Sequence, residues 1–273
     1  MPWYYRLIIS LIVLFIVGCS KQPEIGKKVI ENEDSLIIKS LLLEQKNPHK
    51  AKKILKNLLD ETDKYVYLEE IIKIDYFNKN YRSVIKDSQL FEKKFPDYKS
   101  KIIKYEVLSY LRLKRVNKAL YLAKRALKEN RNIDLYKLIA YIYLQKKEYN
   151  RAILYLKSAY SINQSPEILA QMGDIFFKYL KKPNEAISYY QTHIRLYGCE
   201  EMICNRLANI YASLYDYDNL VEIYKRLFYS TNNEEYARKI IFLYIEKGEY
   251  KKAINFINKN RLSKELLIFT YKE

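Results

Sequence analysis

The chain has 273 residues and a formal charge of +17, with 49 Lys and Arg against 32 Asp and Glu. Only 5 Gly and 6 Pro interrupt it, while hydrophobic residues make up 49%. This excludes collagen-like and disordered chains, and it argues against the strand-rich folds and nucleotide-binding α/β folds that need glycine at tight turns and phosphate loops. An all-α chain of long helices joined by short turns is predicted.

At the amino terminus a single Arg6 precedes the apolar run Leu7–Val17. That run is well short of the roughly 20 residues that cross a bilayer and suits the core of a secretion signal. It leads into Ile16, Val17, Gly18 and Cys19. This ending resembles the lipobox of bacterial lipoproteins, in which the cysteine marks both the cut and the site of acylation. The resemblance implies a signal peptide over 1–18, lipidation of Cys19, and a lipid-anchored place in the cell envelope. Ser20 rather than Asp after the cysteine implies the outer membrane, facing the periplasm. Residues 19–33 contain Pro23 and Gly26 and lack a sustained apolar stripe, so a lipidated tether is predicted there.

From residue 34 onward one phrase recurs. It stands as Asn80, Tyr81, Val84 and Ile85; as Glu148, Tyr149, Ala152 and Ile153; as Asp216, Tyr217, Leu220 and Val221; and as Glu249, Tyr250, Ala253 and Ile254. Weaker copies centre on Ala51, Ala119 and Ala186, which sets seven anchors 33 to 35 residues apart. Nine residues before five of these anchors stand Tyr110, Tyr143, Phe177, Tyr211 and Tyr244, with a small or β-branched residue three places earlier in most copies (Val107, Ala140, Ala208, Ile241). In the Ala186 copy the small residue is Gly173, one place further back, so an extra residue is expected in that copy's inter-helix loop, with Phe176 a candidate equivalent of the aromatic. Seven residues after the anchors, Leu58, Phe91, Ala126, Ala159 and Leu227 continue a buried stripe that His193 and Asn260 break.

A period of about 34 with this phrase resembles the tetratricopeptide repeat (TPR). The resemblance implies a right-handed superhelical solenoid of about seven helix pairs over 34–260, closed by a capping helix over 261–273 with Ser263 as its N-cap. It also implies that the first helix of each pair lines a concave groove. Transferred residue by residue, that pattern puts Lys104, Leu108, Lys137, Tyr141, Asp174, Asn205, Asn209, Arg238 and Phe242 in the groove as partner-binding residues. Because Leu108 and Tyr141 follow Lys104 and Lys137 where some relatives carry Asn, a clamp for a terminal carboxylate is not expected. The apolar periodic residues are core, and small anchors such as Ala152 mark close helix crossings.

No catalytic constellation emerges. The chain has two histidines: His49 sits beside Pro48 in a predicted loop, and His193 lies on a second helix's buried stripe without a triad partner. The glycines are scattered singly, so nothing cradles a phosphate. No metal site and no cofactor are predicted. Cys199 and Cys204 are the thiols left once Cys19 is acylated. They form either a disulfide or two buried thiols, and the disulfide requires Cys199 to lie ahead of its helix, because five residues apart on one helix exceeds the reach of the bond.

These resemblances together imply a non-enzymatic, membrane-anchored scaffold or adaptor that binds envelope proteins or peptides in its groove. Nucleic acid is not an expected partner, since no motif for it is present. The alternative is a basic-surface binder of anionic wall polymers or lipids. The abundance of Lys, Ile, Asn and the 29 Tyr is also what AT-rich codons produce, so the charge alone does not choose between these readings.

Overall fold

The computed structural model describes residues 24–263 and Glu265. Among them are fourteen α-helices and no strand. They are α1 (Glu24–Leu43), α2 (Pro48–Thr62), α3 (Tyr65–Phe77), α4 (Tyr81–Lys94), α5 (Ile103–Arg112), α6 (Val116–Glu129) and α7 (Ile133–Gln145). There follow α8 (Tyr149–Ile162), α9 (Pro166–Asp174), α10 (Pro183–Tyr197), α11 (Glu201–Ser213), α12 (Tyr217–Thr231), α13 (Glu234–Glu246) and α14 (Tyr250–Lys259). Odd-numbered helices are the first members of the seven pairs and even-numbered ones the second, so the fold is an all-α repeat architecture. The predicted signal peptide, Cys19 and most of the predicted capping helix lie outside the described residues.

The chain divides into two compact units, Met1–Leu113 and Lys114–Glu273. In the first unit the core gathers Ala51, Leu55, Leu58, Tyr67, Leu68, Ile72, Val84 and Phe91. In the second, Ala186, Tyr190, Leu207, Ala208, Leu220, Leu227, Ala237, Ile240 and Ala253 belong to one continuous core. All seven anchors are buried, and Ala51, Val84, Ala119, Ala152, Ala186 and Ala253 have no exposed surface. The first-helix aromatics Tyr110, Tyr143, Tyr211 and Tyr244 are buried as the repeat requires. His193 does not break the buried stripe of its helix: it occupies the position seven after Ala186 and is itself buried.

In the pairs α7–α8, α11–α12 and α13–α14 the turn repeats one device. A residue at positive φ follows the first helix, and the next N–H reaches back to the carbonyl of that repeat's aromatic. Glu148 N–H donates to the Tyr143 carbonyl (2.9 Å), Asp216 N–H to Tyr211 (2.9 Å) and Glu249 N–H to Tyr244 (2.7 Å). This is the Schellman arrangement, which satisfies carbonyls that a helix end otherwise leaves open. The pair then reverses at once. Pro48 and Pro183, placed by the sequence in inter-helix loops, instead open second helices at their first turn, where the missing N–H has no partner to lose.

Three further departures have physical causes. The extra residue of the Ala186 copy is not in a loop: Ile175–Tyr179 continue α9 as a π-helical turn. The Lys182 N–H there reaches the Phe176 carbonyl at 2.9 Å, so Phe176, not Phe177, holds the position of the other repeats' aromatics. A wide turn absorbs one residue without breaking the helix, which a spacing count cannot distinguish from a longer loop. Second, α1 begins at Glu24, so residues 24–33 of the predicted tether are helical. This helix is held by half-buried Leu36, Ile37 and Leu43, which pack against the core of the first unit, and by polar contacts. The buried Glu33 accepts hydrogen bonds from Lys64 Nζ (2.6 Å) and from the Tyr67 hydroxyl, and buried Ser40 donates to the Ile37 carbonyl (2.7 Å). Burial opposes ionisation of Glu33, yet the bonds from Lys64 and Tyr67 outweigh it and hold the carboxyl below its usual range. Third, Cys199 stands before α11 and Cys204 within it. Their Cα atoms are 5.6 Å apart and a disulfide joins them across the turn between α10 and α11.

Candidate interaction face of the first helices

The residues expected in the groove fall at two places on the first helices, fifteen and eleven residues before the anchor, except that Asp174 stands twelve before Ala186 because its copy carries one extra residue. In the first unit Lys104 is exposed and Leu108 half-buried, both on α5. In the second unit the fold treats the expected residues unequally. Tyr141 on α7 and Phe242 on α13 remain 40% and 39% exposed, and neither makes an aromatic contact with another of the described residues. An unpartnered aromatic ring on a helix surface is the type of group that anchors a protein interface. Asn209 and Arg238 are also exposed, the latter only 3.9 Å from Glu234 of its own helix. Lys137 is half-buried, and its charge acts on Glu167 of the next first helix. The Ser165 hydroxyl, the Glu167 backbone amide and then Lys137 hold that carboxyl below its ordinary value against some burial.

Asp174 and Asn205 are held by the fold itself. Asp174 accepts the Tyr190 hydroxyl (2.8 Å) and Arg206 Nη1 (2.7 Å), with Lys178 Nζ at 3.2 Å, and so ties α9 to α10 and α11. Burial first, then the bond to Asp174, pushes the Tyr190 phenol far above its usual range, so it remains a donor. Asn205 Nδ2 donates to the Tyr236 oxygen (3.0 Å), and that hydroxyl donates to Glu201 (2.6 Å), linking α11 to α13. Both sites join neighbouring first helices.

The same two offsets applied to the weak Val84 copy reach Glu69 and Lys73, which the sequence reading passed over. Lys73 Nζ lies 2.7 Å from Glu69 and 3.2 Å from Glu70. Burial works against the ammonium, but these carboxylates outweigh it and raise its pKa. Glu44 is raised in turn by burial and by the charge of Glu70. The first unit therefore carries a compact charged cluster at the place where the second unit carries Tyr141 and Phe242.

No group of three or more His, Cys, Asp or Glu suited to a metal occurs among the described residues, and none of the described helices is long and apolar enough to cross a membrane. His193, buried on α10, packs edge-on against Tyr197 with its Nδ1 unpartnered. Burial lowers its pKa, and no nucleophile stands beside it.

Comparison with known proteins supports the class that the fold defines. The sequence pattern of the tetratricopeptide repeat family matches residues 203–235, the span of α11, α12 and the following turn. No curated protein matches the sequence. Among solved structures, the C-terminal part of a TPR protein from Cytophaga hutchinsonii superposes with a TM-score of 0.61 at 17% identity, covering 87% of this chain and all of the other. A tetratricopeptide repeat protein from Parabacteroides merdae gives 0.54 at 15% identity, covering 88% of this chain and 98% of its own. MamA from Desulfovibrio magneticus gives 0.51 at 13%, covering 62% and 96%. The fold is that of a TPR protein. Such proteins are typically non-catalytic scaffolds for protein–protein interaction, and nothing observed points to an enzyme.

Proposed function

We propose that this chain is a non-enzymatic scaffold of the bacterial cell envelope, anchored through lipidated Cys19 in the outer membrane facing the periplasm. The first-helix face of its repeats then receives an extended segment of a partner protein. The observation that carries this reading is the pair of unpartnered aromatic rings, Tyr141 and Phe242, standing at the same place on first helices of different repeats. Between them at matched places lie Asp174 and Asn209, so an extended segment meets an aromatic anchor at each end and polar groups in the middle. The anchor rests on the lipobox resemblance of Ile16, Val17, Gly18 and Cys19 after a short apolar run.

Two separate experiments test it. Replacing Cys19 with Ser releases the chain from the membrane fraction and abolishes labelling by a clickable fatty acid; persistent labelling contradicts the anchor. In-cell crosslinking and affinity capture, run in parallel on wild type and a Lys104→Ala/Lys137→Ala/Tyr141→Ala variant, recovers an envelope protein that the variant loses. Equal recovery by both contradicts the groove.

A further inference from the structure

The turns that precede the second helices α6, α8, α10, α12 and α14 carry a feature that the groove does not use. The residue at positive φ in these turns is Lys114 (φ 59°), Lys147 (59°), Lys181 (55°), Tyr215 (56°) and Gly248 (70°). A β-carbon is disfavoured in this backbone region, and Gly248 shows that the fold accepts glycine at the equivalent place. Base composition does not account for the lysines. AT-rich codons supply Asn as readily, Asn tolerates this conformation better, and Asn232 does occupy it in the turn between α12 and α13 on the opposite edge. Strain repeated at matched positions points to a use for the side chain.

All five turns stand at the amino-terminal ends of second helices of the second unit, α6, α8, α10, α12 and α14, and so share one edge of it. The Tyr149 ring stacks on Tyr179 of the next repeat at 4.8 Å, and Lys247 bonds Asp218 of the preceding one. Of the carboxylates here, Glu148 pairs with Lys146 and Arg151, Glu185 with Lys182, Asp218 with Lys247, and Glu249 with Lys247 and Lys252, while Asp216 accepts from Asn219 as the cap of α12 and Glu246 has no ion pair among the described residues. Lys114, Lys147 and Lys181 have no acidic partner among the described residues and are exposed, so the edge carries surplus positive charge. Tyrosines are interleaved with it, Tyr179, Tyr215 and Tyr250 being well exposed and Tyr215 the most so, at 76%.

We infer that this edge, from the Lys114 turn to the Gly248 turn, docks on a membrane surface of anionic phospholipid. Lysine ammonium groups seek anionic headgroups, and tyrosine places its ring at headgroup level with its hydroxyl in water. A soluble anionic polymer would engage the lysines but has no apolar layer to receive the rings. This surface is distinct from the first-helix face and leaves it open to a partner.

The full chain is tested on vesicles of phosphatidylcholine alone and of roughly equal phosphatidylcholine and phosphatidylglycerol, with dextran sulfate as the soluble polyanion. The neutral vesicles report any apolar anchoring by the amino terminus, so the charge-dependent part is the difference between the two. A Lys114→Gly/Lys147→Gly/Lys181→Gly variant substitutes the residue this backbone favours, and its melting temperature stays level or rises. Its binding to phosphatidylglycerol vesicles falls about tenfold or more while binding to neutral vesicles is unchanged. Tyr215→Gly likewise preserves the fold, weakening vesicle binding but not dextran sulfate binding. The inference is overturned if wild type shows no preference for phosphatidylglycerol. It is equally overturned if the triple variant binds those vesicles like wild type, or if Tyr215→Gly leaves vesicle binding intact.

Discussion

The Tyr190 ring occupies the space that a β-carbon on Gly173 would need, its Cζ lying only 2.8 Å from that position. The ring cannot swing aside, because Tyr190 is 1% exposed on α10 and its hydroxyl is fixed to Asp174. Gly173→Ala is therefore expected to destabilise the protein by about 1 to 3 kcal/mol, the usual range for overpacking a filled core. Denaturant unfolding checks it, and an unchanged midpoint would show that the crossing of α9 and α10 is looser than described.

Ala152 has no exposed surface at the anchor of α8. Glutamate there adds bulk and an unpaired carboxylate in one step, and each mechanism alone reaches several kcal/mol. Ala152→Glu should remove the cooperative thermal transition of the second unit; a transition retained near the wild-type midpoint contradicts the register of the repeats.

Buried His193 gives stability a defined pH dependence. Its folded pKa lies below the ordinary 6.5 because burial penalises the charged ring. The unfolded chain therefore binds the proton more readily, and stability rises with pH across the window between the two values. The His193 contribution is complete above about pH 6.5 and is lost as pH falls through that window. Melting temperatures measured from neutral to mildly acidic pH should decline in wild type, and His193→Gln should flatten part of that slope. A slope identical in both would remove His193 as its source.

The Cys199–Cys204 bridge ties the turn after α10 to the first turns of α11, beside the core residues Ile194 and Ile203. A closed loop this short is worth about 2 kcal/mol. Adding a dithiol reductant should lower the melting temperature of wild type and leave a Cys199→Ser/Cys204→Ala variant unaffected, with the reduced wild type approaching the variant. Equal melting with and without reductant contradicts a stabilising bridge.

Most of the fold was legible because the repeat constrains every copy with the same steric demand. A small anchor such as Ala152 or Ala253 and an aromatic such as Tyr143 or Tyr244 announce a helix crossing wherever they recur at the right distance. The π turn at Ile175–Tyr179 was not legible, since one extra residue shifts the spacing in the same way whether a helix or a loop absorbs it. The early start of α1 was hidden for a different reason. Its apolar contacts, Leu36, Ile37 and Leu43, all lie after residue 33, and before them the described attachment is the polar Glu33, which leaves no apolar stripe over 24–33 to detect. At the candidate face, spacing located Tyr141 and Phe242 but could not show that Asp174 and Asn205 would be bound by Tyr190, Arg206 and Tyr236, contacts that depend on helices stacking in space. Glu69 and Lys73 were within reach of the same offsets, and the degenerate copy around Val84 concealed them.

The central claim is that the first-helix face receives a protein segment. Its most direct test places a photo-crosslinking amino acid singly at Tyr141 and at Phe242 in living cells, and as controls at Tyr121 and Leu154, more exposed residues of second helices. The account predicts the same envelope protein attached at Tyr141 and Phe242, through one continuous segment, and absent from Tyr121 and Leu154. Adducts of equal yield at all four positions, or none at Tyr141 and Phe242, would contradict it.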